Sequence, residues 1–162
     1  MNIKLKGKYL YYLNLKIKCA IGKNGITKNK HEGDLKTPKG IFKLKKVFYR
    51  RDRIKSFKSR IKKYCIKKNI GWCDDPNSKY YNREIRFPFN GTAEKLWRKD
   101  NIYDLIIVIN YNLNPIIKNK GSAIFLHICK KNYSPTKGCI AINKKDMITL
   151  LEKTGYNTKL II

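Results

Sequence analysis

The chain has 162 residues, a length that suits one globular unit with an ordinary buried core and no disulfide staples. Hydrophobic residues at 42% and aromatics at 12% exclude a disordered basic tail, although the formal charge is +27. The lysines run from Lys4 to Lys159 without clustering, which reads as a solvated surface and argues against a dedicated nucleic-acid face.

At the N-terminus, Lys4, Lys6 and Lys8 precede a short apolar run, Tyr9 to Leu13, and Lys16 and Lys18 follow it, so no signal-peptide core is visible. No later segment approaches the ~18 apolar residues of a membrane span. From Lys8 to Ile21 the alternation predicts a hairpin or two strands, and Gly22-Lys23-Asn24-Gly25 is strong turn chemistry. Pro38 then sits between Gly33 and Gly40, and Ile41, Phe42, Leu44, Val47 and Phe48 follow in strand-like alternation. The densest basic stretch, Tyr49 to Lys68, carries Ile54, Phe57, Ile61 and Tyr64 at helical spacing, predicting a helix or a long excursion packed by its apolar face.

Residues 71–90, rich in Asp, Asn, Pro and aromatics, read as an ordered loop with packed side chains, in which Asp74 and Asp75 before Pro76 form a turn. Trp72, Tyr80, Tyr81 and Trp97 divide between core packing and a groove for sugar or peptide. "YDLIIVINYN" and "SAIFLHIC" are buried strands by length and β-branched content. "KKDMITLLEKTG" shows a helical pattern in Met147, Leu150 and Leu151, ended by Gly155, and "TKLII" closes as a strand. Strands dominate, so the fold class is mainly β with one or two helices. No repeat or linker divides the chain, so residues 1–162 read as a single domain.

Five cysteines, none in a C-x-x-C pair, argue against a zinc cage or a disulfide framework, and no metal site is expected. Within "HICKKNYSPTKGCIAI", His127 ends a strand and Cys139 follows Gly138. A glycine there permits a sharp turn that aims backbone N–H groups in front of the sulfur, the donors an oxyanion needs. If the loop between returns the chain beside its strand, imidazole and thiol face one another as base and nucleophile. The pattern alone equally fits a satisfied core histidine and a small buried thiol.

The same stretch resembles the signature of the L,D-transpeptidase family, the YkuD-type catalytic domain, in which a histidine, a loop and then Ser/Thr-His-Gly-Cys follow in order; here the last four are Thr136, Lys137, Gly138 and Cys139. Glu32 to Phe42 resembles the family's G-D-x-x-T-P-x-G-x-F segment, and the middle of the chain resembles a bacterial subgroup, so the likeness runs from about Cys19 to Met147. It implies a β-sandwich or barrel, with Cys139 attacking the third residue of a peptidoglycan tetrapeptide stem, expelling D-alanine, and passing the acyl group to an amine or to water. His127 would handle the protons, and Thr136, Lys137 and Gly138 would form the oxyanion and substrate turn. Asp34, Thr37 and Pro38 would support the cleft.

No cofactor is implied. The expected partners are peptidoglycan stem peptides, with anionic wall polymers as further ligands of the basic surface, in the periplasm or cell wall. The alternative is a non-catalytic basic module that binds polyanions or the wall. Four positions depart from the family pattern. Lys137 stands where a second histidine is commoner, and would favour a thiolate at Cys139. Ala141 replaces Arg or Asn, and Ile128 and Cys129 replace small residues.

Overall fold

The computed structural model describes residues 1–162. Three antiparallel strands open the chain: β1 (Ile3–Lys6), β2 (Tyr9–Tyr12) and β3 (Leu15–Ala20). A short parallel pair, β4 (Ile26–Thr27) and β5 (Thr37–Pro38), precedes the long β6 (Ile41–Tyr49) and the short β7 (Lys63–Cys65). A separate antiparallel sheet is formed by β8 (Ile70–Cys73), β9 (Glu84–Arg86) and β10 (Ala93–Lys95), with β8 in its centre. The chain then returns through β11 (Leu105–Ile109), β12 (Phe125–Ile128), β13 (Ile140–Ile142), α1 (Lys144–Lys153) and β14 (Lys159–Ile161).

The large sheet runs β11-β12-β13-β3-β2-β1-β14-β6-β7, and β6 also pairs with β11. That extra pairing closes the sheet on itself through β6 and β11, leaving the three-residue β7 as a short edge strand. The result is the mainly β, barrel-like fold expected, with one helix.

Every residue of β11 is buried, and the two faces serve different cores. Leu105, Ile107 and Ile109 point inward to a cluster with Leu126, Ile140, Ile142 and Leu160. Ile106 and Val108 point outward to a second cluster with Trp72, Leu96, Tyr103 and Phe125, beneath the small sheet. Period-two alternation explains the division, while the covering sheet explains why both faces read as apolar. Each such side chain contributes about 1.5–3 kcal/mol by leaving water.

In α1, Asn143 caps the N-terminus by accepting from the Asp146 N–H at 2.8 Å, and Met147, Leu150 and Leu151 pack into the inner cluster. The basic stretch after β6 corrects the sequence expectation in part. Ile54, Phe57 and Ile61 are buried in the inner cluster as foreseen, but the segment forms no helix. At its end β7 is drawn into the large sheet, pairing Phe48 with Tyr64, and Tyr64 is largely exposed. Residues 71–90 likewise hold strand pairing that sequence missed: Trp72 lies opposite Glu84 across β8 and β9.

Candidate active site

β12 and β13 are parallel neighbours, with Leu126 opposite Ile140 and His127 opposite Ala141. The loop between them does return the chain beside its own strand. Its last residues are tied to the end of β3, where Thr136 N–H donates to Ile21 O and Lys23 N–H donates to Thr136 O, both at 2.9 Å. Since Leu126 and Ile140 fill the inner core, the odd-numbered Phe125, His127, Cys139 and Ala141 all face the outer side. His127, Cys139 and Ala141 line one cleft of about 520 Å³.

The turn before Cys139 is tightly specified. Gly138 has φ +138°, and a Cβ there would meet Lys36 O at 2.8 Å and Ile124 Cδ1 at 3.2 Å, so only glycine fits without displacement. The Thr136 hydroxyl accepts from Gly138 N–H at 3.1 Å and donates to Cys139 O at 2.6 Å. Gly138 N–H is thereby engaged, which differs from the expectation that it points at the substrate; the Cys139 N–H has no hydrogen-bond acceptor within the protein.

Cys139 Sγ accepts from Phe125 N–H at 3.3 Å and donates to Ala123 O at 3.1 Å. Burial pushes this thiol up to about 12, with the charge of Glu94 adding to the rise, while the Phe125 N–H and Lys30 act the other way. The cation that favours the thiolate is therefore Lys30 and not Lys137, which is exposed. Lys30 is almost sealed from water, donates to Asp34 and to His31 O, and runs its stem under Gly121 and Gly138. Its position 109 residues upstream of Cys139 left no local trace in sequence.

His127 is also buried, and burial lowers it to about 4. Its Nδ1 lies 2.9 Å from Ile128 O, which fixes the proton on that nitrogen and leaves Nε2 as the acceptor. The Tyr103 ring packs edge-on against the imidazole at 5.3 Å between centroids. No hydrogen bond joins His127 to Cys139, so the resting pair is a neutral imidazole and a neutral thiol in one cleft.

The lowered value carries a stability consequence. An unfolded histidine protonates near 6.5 but the folded one only near 4, so this residue's contribution is complete above pH 6.5 and is lost as pH falls toward 4. By pH 4 the loss amounts to about 3 kcal/mol. Urea unfolding of the wild type and His127→Gln at pH 7 and pH 4 should show the variant losing less stability by that amount; equal losses would contradict it.

The other sequence-derived residues lie around this centre. Gly22 N–H donates to Thr37 Oγ1 at 2.8 Å, and Pro38 pairs with Thr27 in the β4–β5 ribbon beside the loop. Asp34 accepts from His31 N–H, Lys30 and Lys36 N–H; burial opposes its ionisation, but these bonds win and hold it below the usual carboxylate range. His31 is exposed. Asp75 forms the expected turn by accepting from Asn77 N–H at 2.9 Å, whereas Asp74 lines the cleft. Trp72 and Tyr81 are buried, Tyr80 is exposed beside Phe89, and Trp97 stacks on Arg50 at 3.5 Å.

Asn82 is a residue that sequence reading passed over. It is buried at φ +55°, and its Oδ1 accepts from Trp72 Nε1 at 2.9 Å and from Ala123 N–H at 3.0 Å. Its Nδ2 donates to Asn112 O at 2.6 Å and Tyr111 O at 3.3 Å. One side chain thus ties the small sheet to the segment whose backbone grips the Cys139 sulfur.

A closed, mainly β barrel with a histidine on one strand and a cysteine at the entry to its parallel neighbour defines a candidate thiol-dependent acyl-transfer site. A family model of the L,D-transpeptidase catalytic domain (YkuD) matches residues 3–162, and the chain belongs to that family. The family acts on peptidoglycan and is typically associated with the cell wall. No curated protein and no solved structure matches the chain. No helix is long and apolar enough to cross a membrane.

Proposed function

We propose that the protein is a cysteine L,D-transpeptidase in which Cys139 is the nucleophile and His127 the general base and acid. The observation that carries this reading is their placement on one face of the β12–β13 pair, in one cleft, with a backbone N–H on the sulfur. Rotation about Cβ–Sγ swings the S–H proton from Ala123 O to His127 Nε2 as the sulfur attacks the carbonyl between the stem's third residue and its terminal D-alanine. The oxyanion is held by the Cys139 N–H, the donor in this turn without an internal acceptor.

The C–N bond then breaks, D-alanine leaves with the proton His127 had taken, and a thioester joins Cys139 to the third residue. In the second half an amine of another stem, or water, gives a proton to His127 and takes the acyl group, and the proton returns to sulfur. Thr136 and Gly138 shape the turn, Lys137 lines the cleft rim, and Asp34, Thr37 and Pro38 support the facing loop. Residues 127, 136 and 139 need no metal or organic cofactor for these steps. Anionic wall polymers would be drawn to the +27 surface by salt-sensitive attraction.

Incubation with a stem tetrapeptide should release D-alanine and leave an acyl mass on the peptide containing Cys139, and an acylating β-lactam should modify the same residue. A non-catalytic wall-binding protein draws on the same neutral, buried thiol. It predicts retention on sacculi without D-alanine release, an outcome that would remove the enzymatic reading.

A further inference from the structure

Among 38 lysines and arginines, only Arg50 and Lys30 are buried. Packing accounts for Arg50, which stacks on Trp97 and is held by Asp52 and by Arg98 O. Lys30 lies behind the candidate active site. Its ammonium donates to Asp34 and, at 2.8 Å, to His31 O. Its stem fills the space that two glycines leave open: a Cβ on Gly121 would meet Lys30 Cγ at 3.0 Å and Cε at 3.1 Å, and one on Gly138 would lie 3.6 Å from the same Cε.

Those glycines belong to the two backbone segments that flank the sulfur. Gly121 leads into Ala123, whose carbonyl takes the Cys139 S–H at 3.1 Å, and Gly138 precedes Cys139, whose N–H is left without an internal acceptor. One side chain thus spaces the proton acceptor of the thiol from the donor available to an oxyanion. A stem needs no charge to do this. Burying an ammonium costs desolvation, a buried ion pair often adds no stability over apolar groups of similar volume, and methionine would fill the same space. The charge is what packing leaves unexplained. Around the sulfur, Glu94 acts with the opposite sign, His127 and Tyr103 are kept neutral by burial, Arg98 is bound to Asp100, and Lys137 is exposed. Lys30 is the cation whose charge reaches the thiol.

Resting on the reading of Cys139 as nucleophile, we propose that Lys30 is a positioning residue for that reaction: its stem sets the spacing of the two segments around the sulfur, and its ammonium, anchored by Asp34, is a fixed positive charge that stabilises the negative charge developing on the sulfur and then on the oxyanion. A charge fixed before the reaction needs no reorganisation during it, and a buried site screens it little.

Lys30→Met combined with Asp34→Asn keeps the stem length and removes both charges. Urea midpoints should equal or exceed that of the wild type, while acylation by a β-lactam should fall about tenfold per folded molecule. A second measurement tells charge from packing. In a His127→Gln background, where only the thiolate reacts, the pH profile of iodoacetamide alkylation is followed on the peptide containing Cys139. The neutral pair should displace that profile about one pH unit toward alkali, and Lys30→Arg, which keeps the cation, should leave it in place. Unfolding of the neutral pair, an unchanged acylation rate, an undisplaced profile, or an equal displacement in Lys30→Arg would overturn the proposal. Alkylation needs no peptide substrate, so a displaced profile in a protein that releases no D-alanine would count against the catalytic reading alone.

Discussion

Replacing His127 with glutamine is expected to slow acylation of Cys139 about 10³-fold at pH 7, within the range general-base catalysis supplies. The reason lies in the thiol. With burial holding Cys139 near 12, only about one sulfur in 10⁵ is ionised at pH 7. A preformed thiolate therefore carries almost none of the reaction, and the proton has to be removed during attack. His127 can accept it because it is neutral over the whole physiological range and because Ile128 O fixes the tautomer with Nε2 free.

The pH profile distinguishes this from a loss of packing. The wild-type rate with an acylating β-lactam should be flat from pH 6 to 9, with its acid limb near 4 and not near the ordinary 6.5 of histidine. In His127→Gln, attack depends on the thiolate population alone, so the rate should climb about tenfold per pH unit from 7 to 10. A variant that is uniformly slow at every pH would mean that the imidazole acts only as a spacer.

The residues proposed as nucleophile and base stand out in sequence because the pattern that marks them is local: a glycine-cysteine step, and a histidine ending a β-branched run twelve positions earlier. The adjacent strands follow from Phe125, His127 and Cys139 keeping a period of two across a parallel pair. What sequence did not disclose is long-range. Lys30 reaches the turn because the loop after β4 folds under Gly138, and no spacing rule marks a lysine among so many.

The spacing of Ile54, Phe57 and Ile61 matched a helix for a different reason. The backbone makes one helix-like turn, with Ile54 N–H donating to Arg50 O, but does not continue it; beyond that turn an irregular segment delivers Phe57 and Ile61 to the core, and Ile61 N–H donates to Ser59 Oγ instead of a carbonyl four residues back. Asp74 was read as a turn former because its neighbour is one. Only the cleft separates the two aspartates.

Asn82 offers the strongest link between the middle of the chain and the sulfur, and Asn82→Ala should cost on the order of 3–5 kcal/mol. The amide satisfies Trp72 Nε1, Ala123 N–H, Asn112 O and Tyr111 O; alanine leaves these buried groups without that partner. Alanine also dislikes the left-handed backbone at φ +55°, a conformation asparagine and glycine accept more readily. Asn82→Gly should therefore recover about 1 kcal/mol of the loss while leaving the four groups unmet, and urea midpoints of the two variants would show the difference.

The chemical consequence follows from Ala123. Its N–H is held by Asn82, and its carbonyl takes the S–H of Cys139, so freeing Ala123 also frees the sulfur. At a temperature where Asn82→Gly remains folded, acylation by a β-lactam should fall about tenfold, with the thiol's alkylation profile shifted along pH relative to the wild type. Asn82 acting on stability alone would leave both the rate per folded molecule and that profile unchanged, because a residue that merely holds two sheets together has no reason to alter the proton affinity of a sulfur it does not touch.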